Sequence, residues 1–187
     1  MAPTNGELCD VKCRALLLAM HRGGYFKLPS PRWRAQRPAA RTRPVTLPLM
    51  NTQPLTCGLA ELGEVELRQV RRTSDEATVN GLLEAYHYLG YRRPVGENLK
   101  HLVLAQDRPI ACFLWSSAPR HLGPRDRHIG WTAVERRAGV HLLAYQSRFL
   151  ILPWVRVPHL ASFLLGAMNR RLSSDWQAVY AHPVHFV

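Results

Sequence analysis

The feature that most constrains the fold of this chain is the stretch LKHLVLAQDRPIACFLWSS, residues 99–117. Two apolar runs flank a four-residue polar turn, which is the pattern of a β-hairpin. Both runs stay apolar at successive positions, so both faces of the paired strands are expected to be buried. The sequence therefore predicts a hairpin inside a sheet that other elements cover on both sides.

The segments before the hairpin predict one strand and one helix. EVELRQV, residues 64–70, alternates between apolar and polar positions, as a strand does. Thr73 and Glu76 have the spacing of a capping box, and apolar residues at helical spacing follow them as far as Gly90. A strand that leads into a helix is therefore expected upstream of the hairpin.

The segments after the hairpin predict a helix-bearing excursion and then a strand, a helix and a strand. Thr132 and Glu135 form a second capping-box pattern ahead of a short helical stripe. FLILPWV, residues 149–155, reads as a buried strand, an amphipathic helix runs from Pro158, and AVYAHPVHFV, residues 178–187, reads as a last strand. Two strands joined by a crossover helix should lie parallel.

This order of elements is similar to the acyltransferase fold of the GNAT superfamily. The predicted fold class is therefore α+β: a GNAT-like mixed β-sheet with flanking helices. The resemblance implies that the helix from Pro158 points its N-terminus at the pyrophosphate of coenzyme A.

Composition divides the chain into three regions. Residues 1–28 predict a short helix and strand, which could be the remnant of a winged-helix unit. Residues 29–63 are rich in proline and arginine and predict an extended linker, whose Arg34, Arg37 and Arg41 either follow a phosphate backbone or belong to a solvated tether. Residues 64–187 hold the α+β domain.

The chain carries 25 Lys and Arg against 13 Asp and Glu, a formal net charge of +12. Such an excess favours anionic partners, above all nucleic acid, although general overuse of arginine would produce the same number. No signal peptide or membrane-spanning stretch is evident, so a cytoplasmic protein that does not bind membranes is expected. Four scattered cysteines predict reduced thiols and no metal site.

Candidate site residues concentrate in the loop APRHLGPRDRHIGW, residues 118–131. Arg125 and Arg127 could bind an anion, and His121, Asp126 and His128 are candidate bases. Their spacing does not define a set of nucleophile, base and orienting group, and no catalytic residue is assigned firmly. The alternative is a hydrated surface loop in which Asp126 pairs with a neighbouring arginine.

A second candidate is the basic turn before the last helix, where Arg156 and His159 flank Pro158. The free N–H groups of His159 and Leu160, together with the positive end of the helix, could hold a phosphate. The turn has no glycine, which pyrophosphate cradles usually need. An ordinary strand-to-helix corner, a nucleic-acid phosphate site and a coenzyme A site all stay open.

The segments YHYLGY, LKHLVLAQDRPIACFLWSSAPRHLGPRDRHIGW, SRFLILPWVRVPHLASFLL and DWQAVYAHPVHFV resemble the family that includes DruA of the Druantia anti-phage systems. CDVKCRALLLAMHRGGYFKLPSPR resembles the N-terminal segment of the same family. Members of that family continue past the last strand and are often found beside mobile elements. The resemblance therefore implies a bacterial defence protein and a fragment, truncated at its C-terminal end.

Three functions follow from these observations. The first is a component of a Druantia-type defence system that binds nucleic acid through unknown chemistry, with other subunits of the system as further partners. The second is an N-acyltransferase that uses coenzyme A or acetyl-CoA, although no cofactor is assigned. The third is an accessory protein of a mobile element, acting in transposition.

Overall fold

A computed structural model describes residues 10–29, 47 and 50–187 of this chain, with side chains from residue 15 onward. The chain divides into two units, 1–42 and 43–187. In the first unit, helix α1 spans Asp10–Arg22, as predicted. The strand predicted after it is wrong: residues 26–29 join no sheet, because the N–H of Leu28 donates to His21 Nδ1 at 3.3 Å instead.

The second unit is α+β, as predicted, with a four-stranded antiparallel sheet and a small parallel one. Its strands are β1 (Leu55–Thr56), β2 (Val65–Gln69), β3 (Asn98–Ala105), β4 (Arg108–Ser117), β5 (Ala144–Ile151) and β6 (Val155–Arg156). Its helices are α2 (Glu76–Tyr86), α3 (Gly123–Ile129), α4 (Ala133–Gly139) and α5 (Leu160–Tyr180), with 3₁₀ turns at Leu59–Leu62 and Val140–Leu142.

The predicted hairpin forms the centre of the larger sheet, whose order is β2-β3-β4-β5. β3 and β4 pair antiparallel around Gln106 and Asp107, which both have positive φ, at 49° and 62°. Positive φ at both central residues is the signature of the type I′ turn that suits the twist of a hairpin. The expected hairpin is confirmed.

The sheet is covered on both faces, as the apolar runs of the hairpin predict. Lys100 and His101 are neighbours on β3, so their side chains leave opposite faces of the sheet. Lys100 contacts Glu76 of α2 at 2.6 Å, and His101 contacts Asp175 of α5 at 2.8 Å. Helix α2 therefore lies on one face of β3 and helix α5 on the other.

The last strand predicted from AVYAHPVHFV is wrong, because α5 continues to Tyr180. Buried side chains recur every four residues along this helix, at Leu160, Leu164, Met168, Leu172 and Trp176. One side of the helix therefore packs against the core along its whole length. The sequence predicted that the segment after this helix would pair parallel with the sheet. In the structure, an isolated parallel bridge joins Leu143 and Phe186.

Three other local predictions are resolved by the structure. The capping box at Thr132 and Glu135 is confirmed. The one at Thr73 is wrong, because the Thr73 hydroxyl donates to the Val70 carbonyl. The buried strand predicted at residues 149–155 begins earlier and is β5.

Residues 50–63, within the segment predicted as linker, belong to the folded second unit. β1 pairs parallel with β6, and Leu62 is buried in the core. Leu55 and Leu59 pack against the same core. None of the helices in the described part of the chain has both the length and the apolar character that crossing a bilayer requires.

Candidate functional site

The candidate site is a basic cleft of about 540 Å³ beside α4. We call it the arginine cleft. It is lined by Arg120, His121, Ala133, Arg136, Arg137 and Val140. Three of these six side chains are guanidinium groups, and none of the described residues that line the cleft is acidic.

Two short helices shape the cleft, and each has a local reason to form. Pro124 occupies the first turn of α3, and Gly130 ends that helix with φ 80°. Glycine has no Cβ to oppose this left-handed conformation, and a left-handed residue ends the helix there. The chain then reverses into α4.

Helix α4 begins at the capping box that the sequence predicts. The Thr132 hydroxyl accepts the N–H of Glu135 at 3.3 Å, and the Glu135 carboxylate accepts the N–H of Thr132 at 2.8 Å. At the other end, a Cβ on Gly139 would lie 2.9 Å from the Trp131 ring. The missing side chain lets the indole pack closely against the end of α4.

Asp126 is buried, and charge pairing occupies its carboxylate. Arg125 donates to Oδ1 at 2.7 Å, while the Leu122 N–H and Arg136 approach Oδ2 at 3.4 and 3.6 Å. Burial raises the pKa of Asp126, but the Arg125 hydrogen bonds, the Leu122 N–H and the charges of Arg125 and Arg136 outweigh it and hold the pKa below its usual value. In this arrangement Asp126 holds Arg136 at the cleft, as expected for an aspartate paired with neighbouring arginines.

The structure brings only some of the sequence-predicted residues together. His121 lines the arginine cleft, and Asp126 reaches it through Arg136. Arg125 turns toward Asp126 and the Pro119 carbonyl. Arg127 and His128 are exposed on α3 and do not line the cleft.

The basic turn before α5 does not line this cleft. Arg156 is exposed on β6, and His159 is exposed with φ 63°. The Leu160 N–H donates to the Val157 carbonyl at 3.3 Å, so one of the two N–H groups expected to be free for an anion is occupied. Arg34, Arg37 and Arg41 lie outside the described residues.

Two arginines of the cleft lie outside the loop that the sequence analysis singled out, namely Arg136 and Arg137. The sequence signal was available, since both arginines lie in the last turn of a capped helix, where positive charge interacts favourably with the helix dipole. The sequence does not show that Arg120 and His121, 16 residues before this pair, would lie across from it. That proximity depends on the reversal of the chain at Gly130.

Clustered guanidinium groups suit phosphate or carboxylate ligands, because their planar donor sets match the oxygens of these anions. No group of three or more His, Cys, Asp or Glu able to hold a metal ion occurs among the described residues. The chemistry that the cleft offers is therefore anion binding by arginine.

The fold and the cleft define an α+β protein with a cluster of arginines at its surface. A family model described as Druantia protein DruA matches residues 51–186, more than half of the chain. The chain therefore belongs to the DruA family, which confirms the resemblance seen in the sequence. Membership implies a component of Druantia anti-phage defence. The chain matches no curated protein and no solved structure.

Proposed function

We propose that this chain contributes nucleic-acid binding to Druantia defence, through phosphate contacts in the arginine cleft. The observation that carries the proposal is the convergence of Arg120, Arg136 and Arg137 on one cleft whose described lining is free of carboxylates. A chain with net charge +12 also attracts a polyanion at long range.

The expected mode of binding is independent of base sequence. Arginines that contact phosphates fix the position of a strand but do not read its bases. Each phosphate neutralised releases condensed counterions, so affinity should fall steeply as salt rises. Phage DNA or RNA of any sequence would then be a ligand, and selectivity for phage would come from other components of the system.

The test is fluorescence anisotropy of the full chain with labelled single- and double-stranded 30-nucleotide DNA, over about 50 to 300 mM NaCl. We expect Arg120→Gln and Arg137→Gln each to lower the magnitude of the slope of log affinity against log salt, by about 0.9 on the duplex and about 0.7 on the single strand. The matched control is Arg170→Gln, because Arg170 is exposed on α5, away from the cleft lining. Binding that is insensitive to salt, or equal loss in all three variants, contradicts the proposal.

A GNAT-like arrangement of the sheet belongs to the same proposal. Its support is the succession of four antiparallel strands, the helix α5, and a chain segment that bridges parallel to Leu143 through Phe186. Coenzyme A binding at the start of α5 has less support, since no glycine lies between Trp154 and Ser162 and the Leu160 N–H is occupied. Titration with coenzyme A tests this alternative, and we expect no binding that resists high salt.

A further inference from the structure

A second polar pocket, separate from the arginine cleft, lies between α2 and β3. Its volume is about 440 Å³, within the range of roughly 300 to 1,000 Å³ typical of small-molecule sites. We call it the Lys100 pocket. It is lined by Arg71, Glu76, Asn80, Tyr91, Arg93, Pro94, Gly96, Asn98 and Lys100.

The charged groups of this pocket form a network with an excess of cations. Lys100 is 2% exposed, and its ammonium donates to Glu76 at 2.6 Å and to the Tyr91 hydroxyl at 3.1 Å. Arg71 donates to both oxygens of Glu76, at 2.7 and 3.0 Å. Three cations, counting Arg93, face one carboxylate, so the lining has a net positive charge and favours an anionic group.

Several buried polar atoms of the lining have no partner in the protein. Asn98 is 4% exposed, and its amide nitrogen donates to the Gly96 carbonyl at 3.0 Å, which fixes the orientation of the amide and leaves Oδ1 unpaired. Asn80 Oδ1 and Arg71 Nε are buried and unpaired as well. An unpaired buried polar atom destabilises a fold, so a ligand that supplied hydrogen bonds to these three atoms would be favoured in this pocket.

We propose that the Lys100 pocket binds a single nucleotide. The phosphate would lie against Arg93 and Arg71, and N–H or O–H groups of the base or sugar would donate to the amide oxygens of Asn80 and Asn98. A nucleotide has the two features that complement this lining, namely an anionic group and several hydrogen-bond donors. The ligand is either a free mononucleotide or the phosphorylated end of a strand, and both present the same chemistry.

The proposal does not rest on nucleic-acid binding at the arginine cleft, because the two sites share no lining residue. Isothermal titration calorimetry of the full chain with AMP, GMP, CMP and UMP tests it, with adenosine and inorganic phosphate as partial ligands. We expect at least one mononucleotide to bind at least about tenfold tighter than either partial ligand. A 5′-phosphorylated and a 5′-hydroxyl oligonucleotide distinguish a strand end from a free nucleotide.

Three variants locate the binding. Arg92 and Arg93 are adjacent and exposed, but only Arg93 lines the pocket. Arg93→Ala should therefore weaken mononucleotide binding about tenfold or more, and Arg92→Ala should leave it unchanged. Asn80→Ala removes an unpaired oxygen from the interior of α2, so it should weaken binding without lowering the melting temperature.

Any of three results would overturn the proposal. The first is that none of the four mononucleotides binds more tightly than about 1 mM. The others are equal effects of Arg92→Ala and Arg93→Ala on binding, and a lower melting temperature with unchanged binding in Asn80→Ala. Arg137→Gln should leave mononucleotide binding unchanged while it weakens DNA binding. This comparison separates a failure of the nucleotide pocket from a failure of the arginine cleft.

Discussion

At the residue scale, the buried His101 connects the sheet to helix α5. The ring is fully buried, its Nε2 lies 2.8 Å from Asp175 Oδ2, and Arg171 donates to the same carboxylate. Its Nδ1 is buried without a partner. Protonation of the ring would place a second N–H at this unpaired position, so the fold favours the neutral imidazole.

This burial predicts a loss of stability in mild acid. Burial lowers the pKa of His101 below its ordinary 6.5, although Asp175 opposes the shift. The unfolded chain then binds the proton first, so the free energy of unfolding should decrease as pH falls below about 6.5. Thermal melts between pH 7.5 and 5, at steps of about half a pH unit, should show the decrease.

The control for this pH dependence is the exposed His128. His101→Gln should show a smaller decrease between the two pH limits, and His128→Gln should retain the decrease of the native chain. His87, whose pKa burial and the charge of Arg148 also lower, accounts for a residual decrease in His101→Gln. An identical pH profile in native chain and His101→Gln would contradict the assignment.

The ion pair of Lys100 and Glu76 gives a second prediction at this scale. Burial raises the pKa of Glu76, but Lys100, the Arg72 N–H and Arg71 outweigh it and bring the pKa to about 2. Lys100→Met removes one of the two cations on this carboxylate and leaves Arg71 alone to balance it, so the substitution should cost about 3 kcal/mol in urea unfolding.

The double variant Lys100→Met/Glu76→Gln separates the charge effect from packing. Because it also removes the carboxylate that has lost one of its two cations, it should recover part of the stability that Lys100→Met loses. A cost of less than about 1 kcal/mol for Lys100→Met would show that Arg71 alone satisfies Glu76.

The partners of these residues also show where sequence reasoning ends. His101 and Asp175 are 74 positions apart, and Glu76 and Lys100 are 24 apart. Hydrophobic spacing assigns the strand and both helices, but it carries no information on which polar side chains meet across the layers. The capping pattern gave Glu76 a purely local role, whereas its carboxylate accepts both the nearby Arg72 N–H and the distant Lys100 ammonium.

At the scale of secondary structure, patterns predict elements well where burial is uniform. Both strands of the hairpin are largely apolar on either side of a polar turn, and its position follows from the sequence. Helix α3 was missed because Gly123, Pro124 and Gly130 make GPRDRHIG look like a loop. The same residues are boundary signals, since proline fits the first turn of a helix and glycine ends it.

Helix α5 shows the opposite error, because the strand-like composition of its last residues was given more weight than the helical spacing that continues to Tyr180. Val179 and Tyr180 favour a strand by composition, but they continue the helix that ends at Tyr180. The Tyr180 hydroxyl donates to the Asn98 carbonyl at 2.7 Å and accepts its N–H at 2.9 Å. These hydrogen bonds to the start of β3 stabilise the last turn of α5.

The buried side of α5 predicts the effect of truncating its side chains. Leu164 is fully buried, and Phe163 beside it is 40% exposed. Leu164→Ala should therefore lower the free energy of unfolding by about 3 kcal/mol, through reduced burial and the cavity that remains. Phe163→Ala should cost less than about 1 kcal/mol, and similar costs in urea unfolding would contradict the assignment of the two faces.

At the scale of the whole molecule, charge and fold are distributed differently along the chain. The second unit holds the core and the whole of the family match. Residues 1–42 carry six arginines and two lysines against two acidic residues, which is half of the net charge of +12. Stability should therefore depend mainly on residues 43–187, and long-range attraction of a polyanion on both parts of the chain.

Deletion of residues 1–42 tests this division and the two interpretations of the arginine-rich segment. The melting temperature should stay within about 2 °C, because the core residues lie beyond the deletion. The salt dependence of DNA binding should become weaker, its slope falling by about 0.9 for each of Arg34, Arg37 and Arg41 that binds a phosphate in the full chain. An unchanged slope would make the segment a tether and leave phosphate binding to the arginine cleft, whereas a large fall in melting temperature would show that the first unit supports the second.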